Sequence, residues 1–273
     1  MKRLLTAAVT VPLFLLALFT LPALAFFVLI VLLVELGVLE FLRIARAWAP
    51  GAPLGALLLL VPAAAAILRL AAIGGDSAAG VWALVLAAVL SIGVGALVLG
   101  KRTPVGESLP ALGALAFGVP YFALPIASFS YLQLFDPWVL FLLLAIVWLG
   151  DTAALYVGSA FGRRRLAPVV SPKKTWEGAA ACLTTALAAT AIWSWWRLGR
   201  LDAALLAVAA ATSVAAQAGD LVESLIKRGA GVKDSGGVLP GHGGMLDRVD
   251  ALLFAAPVML LGLWVIGFEA LVR

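Results

Sequence analysis

The sequence has few of the residues that soluble proteins use on their surfaces and in redox or zinc chemistry. Only 12% of its 273 residues are charged, about half the fraction usual in soluble domains. Its one cysteine, Cys182, lies in an apolar run, which excludes a disulfide framework and argues against thiol chemistry. Its one histidine, His242, has no cysteine nearby, which argues against a zinc site.

Apolar residues make up most of what is present. They account for 64% of the chain, and they form long unbroken runs rather than the alternating pattern of a membrane barrel. The composition therefore predicts an all-α, polytopic integral membrane protein. The net charge of +5 fits contact with anionic lipid headgroups and predicts no nucleic-acid partner.

The apolar runs predict about nine transmembrane helices of about 20 residues each. The basic start and the Ala23-Leu24-Ala25 pattern imitate a cleavable signal peptide, but the apolar run resumes at once, so we expect two uncleaved helices broken near Pro22. We assign residues 1–105 to N-terminal membrane helices without a recognisable role and 106–273 to a catalytic membrane domain. The predicted spans are 4–20, 22–45, 54–74, 79–100, 109–131, 137–161, 176–196, 203–227 and 248–271.

The basic residues predict the orientation. With the N-terminus inside, 15 of the 19 lysines and arginines face the cytoplasm, as the positive-inside rule requires. Both long polar segments, 162–175 and 228–247, then lie on that side. We expect a multi-pass protein of the inner (plasma) membrane with its active site facing the cytoplasm.

The segment 224–250 is the most polar part of the chain. It contains seven of the 27 glycines, which allow tight turns and close approach of the backbone to a ligand. Cations, carboxylates and free backbone N–H groups in one such loop suit a polyphosphate with its metal ion. The alternative is a solvated loop between helices. His242 could donate to a phosphate or act as a general base.

One helix stripe before this loop carries Asp220, Glu223, Ser224 and Lys227. Their spacing of 0, +3, +4 and +7 places them on one face. Ionisable side chains in a membrane helix usually face a polar cavity or a site. The alternative is a Glu223–Lys227 ion pair that closes the helix end.

Asp247 and Asp250 open the last predicted helix. Acids in a first turn can simply cap the helix. Antiparallel pairing of the last two helices would instead bring Asp220 and Asp247 together, and clustered carboxylates attract Mg²⁺.

Two further elements precede these helices. The segment 171–178, SPKKTWEG, places Lys173 and Lys174 before a span, either as topological anchors with Ser171 or Thr175 as helix cap or as charges for phosphate oxygens. Asp151 lies within the sixth predicted span, where a lone acid is a further candidate.

These motifs closely resemble those of the bacterial phosphatidate cytidylyltransferases, or CDP-diacylglycerol synthases. The 27 residues 224–250 carry the resemblance, together with 171–178 and Asp151-Thr152. Departures from the family pattern occur at Gly150, Ala153, Leu155 and Ser159. The resemblance implies transfer of the cytidylyl group of CTP to phosphatidate, giving CDP-diacylglycerol and pyrophosphate, by a Mg²⁺-dependent homodimer that admits its lipid sideways from the bilayer. The site could hold a second cation besides Mg²⁺.

The residue roles combine this resemblance with the chemistry of the side chains. We expect Asp220 and Asp247 to bind the metal, with Asp250 and Glu223 in support. The catalytic and phosphate-binding candidates are Lys227, Arg248, Ser171, Lys173, Lys174, Ser224, Arg228, Lys233, His242, Gly243 and Gly244.

Two other classes of protein stay open. An enzyme acting on another lipid phosphate, or a lipid kinase, would have a similar headgroup site, and a transporter would also place acids in its spans. Glu35 and Glu40, in the N-terminal half, are either structural or line a lipid groove.

Overall fold

The computed structural model describes residues 2–50, 52, 54–74, 93, 105–236 and 243–267. Within these ranges the chain is helical apart from its loops, one 3-10 turn (Leu54–Ala56) and one short β hairpin. The elements are α1 (Lys2–Thr20), α2 (Ala23–Ala45), α3 (Leu57–Ile73), α4 (Val105–Phe135), α5 (Pro137–Phe161), β1 (Arg165–Ala167), β2 (Ser171–Thr175), α6 (Trp176–Leu198), α7 (Ala203–Gly229) and α8 (Leu246–Val265).

Seven helices of the described ranges are long and apolar enough to cross a membrane. They are α2, α3 with its preceding turn, α4, α5, α6, α7 and α8, and a shorter apolar helix covers Val9–Thr20. This confirms the prediction of an all-α polytopic membrane protein. The predicted span 79–100 lies outside the described residues except for Gly93, so the count of nine stays a prediction.

Local sequence signals explain several helix ends. Pro22 immediately precedes α2, which is the predicted break. The Asp136 side chain caps α5 by accepting from the Trp138 N–H at 2.8 Å. Thr175 caps α6 by accepting from the Gly178 N–H at 3.1 Å, and Gly199, with φ of 66°, ends that helix. These are the usual physical roles of Asp, Thr and Gly at helix termini.

The sequence analysis missed the β hairpin. It treated 162–175 as one polar segment, whereas β1 and β2 pair antiparallel, with Arg165 opposite Thr175 and Ala167 opposite Ser171. Three- and five-residue strands are too short to leave a clear alternating pattern. The hairpin places Ser171, Lys173 and Lys174 on a defined strand.

The chain forms two compact units. The first takes its described residues from 1–135 and 226–249, and the second from 136–225 and 250–273. In the first unit, the buried rings of Phe41 and Phe122 pack edge to face, with 5.6 Å between their centroids. In the second, α5 and α6 approach closely, since a Cβ at Gly178 would lie 2.9 Å from the Ala154 carbonyl oxygen. The predicted division at 105/106 concerns role and stays a prediction.

Candidate active site

In the first unit, Asp247 is the centre of a hydrogen-bonded group that we call the Asp247 cluster: Asp247, Lys227, Ser235 and Gly244. Asp247 Oδ1 accepts from Lys227 Nζ at 2.5 Å. Its Oδ2 accepts from the Ser235 N–H at 3.1 Å, the Ser235 hydroxyl at 2.9 Å and the Gly244 N–H at 2.9 Å. Both carboxylate oxygens are therefore occupied by donors.

This pattern is more than helix capping. Asp247 lies in the first turn of α8, but its donors belong to the end of α7 and to the loop before α8, so the carboxylate organises the loop. Gly243 fits this arrangement because its φ is +79° and a Cβ there would lie 3.0 Å from Asp247 Oδ2. Glycine adopts such a conformation at little steric cost.

A residue from the N-terminal half joins this group. Glu40, on α2, is completely buried, and its Oε2 accepts from the Ser235 hydroxyl at 2.9 Å and from the Leu246 N–H at 2.8 Å. The sequence analysis noted Glu40 only as structural or facing a lipid groove. Its position inside an apolar span was the available signal, but nothing in the sequence indicated a partner 195 residues away.

In the second unit, four acidic side chains and one lysine interact, and we call this group the carboxylate cluster: Asp151, Lys174, Asp220, Glu223 and Asp250. Lys174 Nζ lies 2.6 Å from Asp220 Oδ2. Asp151 interacts electrostatically with both Asp220 and Lys174, and Asp250 interacts with Asp220, Glu223 and Asp151. The β hairpin thus brings Lys174 to acids of two helices, Asp220 on α7 and Asp151 on α5.

Close helix packing brings these acids together. A Cβ at Gly219 would lie 2.6 Å from the Asp250 carbonyl oxygen and 3.1 Å from Phe254 Cβ, so α7 and α8 approach here at a distance that only glycine permits. Glu223 is completely buried, and the Ser224 hydroxyl lies 3.4 Å from Asp220 Oδ1. Of the predicted stripe on α7, Asp220 and Glu223 therefore belong to the carboxylate cluster, whereas Lys227 belongs to the Asp247 cluster.

The chemistry of the carboxylate cluster fits a hard divalent cation. The cluster contains four acidic side chains, and carboxylate oxygen is the donor that Mg²⁺ prefers. In the described part of the chain, however, no three His, Cys, Asp or Glu side chains stand close enough to hold one ion together. The Mg²⁺ site, and the sharing of one ion by Asp220 of the second unit and Asp247 of the first, stay predictions.

Most of the remaining predicted site residues lie at the surface of the described part of the chain. Lys173 is exposed on β2, and Ser171 is half-buried. The Arg228 guanidinium donates to the Val232 carbonyl oxygen at 3.3 Å. Lys233 and Arg248 are exposed. His242 lies outside the described residues.

Comparison with known proteins assigns the chain to a family. The profile of the Cytidylyltransferase family matches residues 1–266. The chain belongs to this family. The match includes the N-terminal helices, in which the sequence analysis recognised no motif.

Several relatives are named phosphatidate cytidylyltransferase, including three from Pseudomonas aeruginosa, Haemophilus influenzae and Brucella suis. The protein of Pseudomonas aeruginosa is 43% identical over 129 residues, which are 46% of this chain and 48% of the relative. That of Haemophilus influenzae is 44% identical over 126 residues, 43% of this chain and 44% of the relative. That of Brucella suis is 38% identical over 175 residues, 61% of each. The chain thus spans about half the length of the relatives it matches.

Proposed function

We propose that this protein is a phosphatidate cytidylyltransferase, which transfers the cytidylyl group of CTP to phosphatidate and releases pyrophosphate. The observation that carries the proposal is membership of the cytidylyltransferase family together with similarity to relatives that bear this enzyme's name. The two lysine–aspartate pairs and the carboxylate cluster support it, because they suit phosphate and metal chemistry.

In the proposed reaction, a phosphate oxygen of phosphatidate attacks the α-phosphorus of CTP. The bond from the α-phosphorus to the bridging oxygen breaks, and that oxygen leaves with pyrophosphate. The nucleophile is already an anion, so little general-base catalysis is required. The protein must instead position two anionic substrates and neutralise the charge that develops on the leaving group.

Lysines held by aspartates are suited to this task. Lys174 and Lys227 are each fixed by a carboxylate, which orients their ammonium groups before any phosphate binds. Lys173 and Arg248 are exposed and add positive charge. We propose that these four residues bind the phosphates of the substrates and that the glycine-rich loop wraps the nucleotide.

We propose Asp220, Asp247, Asp250 and Glu223 as the residues that hold Mg²⁺. The ion would supply charge neutralisation at the phosphoryl oxygens. Asp247 Oδ2 accepts three hydrogen bonds and Oδ1 accepts from Lys227, so an ion bound by Asp247 would take the place of the Lys227 ammonium at Oδ1.

The proposed setting is a homodimer in the inner membrane with the site on the cytoplasmic face. The orientation is tested by labelling single cysteines from outside the membrane. They are introduced at Arg200 or Gly236, in a background where Cys182 is replaced by serine. We expect the residue at 200 to react and that at 236 to be protected. Reaction at 236 and protection at 200 would overturn the cytoplasmic site.

The activity is tested by incorporation of radiolabelled CTP into lipid by purified protein in vesicles. Phosphatidate and a polyprenyl phosphate are offered separately. We expect label to enter lipid only with phosphatidate, with one pyrophosphate released for each CMP transferred. Label that enters lipid with polyprenyl phosphate but not with phosphatidate would indicate another lipid substrate. Transfer of the terminal phosphate of CTP to the lipid would indicate a kinase.

The metal ligands are tested by Asp220→Asn, Asp247→Asn and the double variant. An amide keeps the shape but loses the charge, so each single variant should lose nearly all turnover and the losses should not multiply, since residues acting as one unit are disabled by the first change. Residual activity should require more Mg²⁺ than the parent. Parental activity in Asp247→Asn would exclude it as a ligand and favour Asp250.

A further inference from the structure

A completely buried carboxylate lies within the apolar helix α2. Glu40 has no exposed surface, and burial of a carboxylate in a membrane helix is unfavourable unless polar partners compensate it. Its Oε2 has two such partners, the Leu246 N–H at 2.8 Å and the Ser235 hydroxyl at 2.9 Å. Leu246 is the first residue of α8, so Glu40 supplies an acceptor to a helix N-terminus whose own N–H groups lack one.

The loop backbone packs directly on this carboxylate. A Cβ at Gly236 would lie 2.5 Å from Glu40 Oε1, and one at Gly244 would overlap with Glu40 Oε2. One turn earlier on α2, a Cβ at Gly37 would lie 3.8 Å from the Leu246 Cα. Gly236, Gly244 and the first residue of α8 therefore pack on the stripe formed by Gly37 and Glu40.

A second contact holds the other end of the same loop. Trp48, just after α2, donates from its indole Nε1 to the Gly229 carbonyl oxygen at 3.2 Å. Gly229 is the last residue of α7, and its carbonyl is one of those that a helix C-terminus leaves without an internal partner. The α2 segment thus holds the loop where it leaves α7 and where it enters α8.

Ser235 connects Glu40 to Asp247. Its hydroxyl oxygen lies 2.9 Å from Glu40 Oε2 and 2.9 Å from Asp247 Oδ2, and its backbone N–H donates to the same Asp247 oxygen at 3.1 Å. A hydroxyl has one proton to donate, so the two carboxylates share this donor. A shift of Glu40 would change both the donor available to Asp247 and the start of the helix that carries Asp247.

We infer that Glu40 is a positioning residue for the reaction, with Ser235 as the group through which it acts. It sets the geometry of the loop and of Asp247 from the N-terminal half of the chain, in which the sequence showed no motif. The inference rests on the proposed function for its kinetic consequence, whereas its structural consequence is measurable without any activity.

The kinetic test compares Glu40→Ala and Glu40→Gln with Glu35→Ala, a glutamate of the same helix whose Oε1 accepts no hydrogen bond from the described residues. Glu40→Ala should lower kcat by about 100-fold, because displacement of a catalytic group by on the order of 1 Å has an effect of this size, while KM for CTP changes much less. Glu40→Gln keeps an oxygen that can accept from Leu246 and Ser235, and should restore most of kcat. Glu35→Ala should behave as the parent.

The structural test is hydrogen–deuterium exchange of the full-length protein in nanodiscs, read over residues 243–247. Glu40→Ala should accelerate exchange there, and Glu35→Ala should not. If Glu40→Ala is not recovered folded, Ser235→Ala takes its place in both measurements, since it removes the hydroxyl that links the two carboxylates.

Each outcome bears on one proposal. Parental kcat and exchange in Glu40→Ala, or in Ser235→Ala where that variant is used, would overturn the positioning role. So would a Glu40→Gln variant as impaired as Glu40→Ala. Faster exchange in variants of a parent that does not incorporate CTP would support the positioning of the loop while overturning the proposed function.

Discussion

The Lys227–Asp247 ion pair allows a quantitative test of the Asp247 cluster. The two side chains are only 12% and 16% exposed, so solvent screens their attraction weakly. Lys227→Met keeps most of the side-chain volume and removes the charge, which leaves the Asp247 carboxylate partly buried without its ammonium. Breaking a buried pair in this way costs about 3–5 kcal/mol, and we take about 3 kcal/mol because Oδ2 keeps its three donors.

A matched cation elsewhere in the chain provides the control. Arg200 lies 3.4 Å from Asp202, and its side chain is 60% exposed. Pairs exposed to this degree contribute about 0–1 kcal/mol. Arg200→Met removes the same charge in the same protein and should change stability by that smaller amount.

The assay is thermal unfolding of the purified protein in one detergent. A change of 3 kcal/mol corresponds to roughly 6–12 °C in Tm, whereas the control should shift by roughly 0–4 °C. Asp247→Asn should be destabilised like Lys227→Met, because its amide would face the ammonium. The double variant should be less destabilised than the two single effects added together, since neither charge is left alone.

The reasoning would be refuted if Lys227→Met shifted Tm no more than Arg200→Met. Strictly additive effects in the double variant would also contradict a direct pair. Both results would show that the Asp247 hydrogen bonds from Ser235 and Gly244 hold the loop without help from Lys227.

Two further predictions concern the second unit. Replacing Lys173 and Lys174 together with Gln should raise KM for CTP or phosphatidate about tenfold or more, since an ammonium on a phosphate contributes about 1–3 kcal/mol; unchanged kinetics in correctly inserted protein would leave them as topological anchors. Gly219→Ala should lower Tm and turnover because its Cβ would lie 2.6 Å from a backbone carbonyl, whereas Gly113→Ala, with nothing within 4 Å, should raise stability by up to about 1 kcal/mol. Equal Tm shifts in these two variants would contradict the close packing of α7 on α8.

Much of the molecule could be predicted from its sequence because the solvent is lipid. A bilayer core of about 30 Å requires helices of about 20 apolar residues, so span positions follow from composition alone. The predicted 137–161 coincides with α5, and 22–45 differs from α2 by one residue at its start. Caps were also readable, since Thr175 was named as a candidate cap before α6 and accepts from the Gly178 N–H.

The candidate site was only partly predictable. The stripe on α7 and the acids at the start of α8 were visible as charges in an apolar context, where each such group needs a reason. Their partners were not visible, because lysine can serve any nearby anion. Sequence spacing offered Glu223 as a partner of Lys227, but it could not offer Asp247, 20 residues away, to which Lys227 donates.

The sequence by itself determined that the protein lies in a membrane, that it is helical and which segment is most polar, because each follows from hydropathy or from residues adjacent in the chain. The tertiary structure alone decided which distant residues meet. Glu40 reaches Ser235 across 195 positions, and Lys174 on a five-residue strand reaches Asp220 on α7. Contacts of this kind depend on helix packing that small residues such as Gly219 and Gly244 permit, and no local pattern encodes their partners.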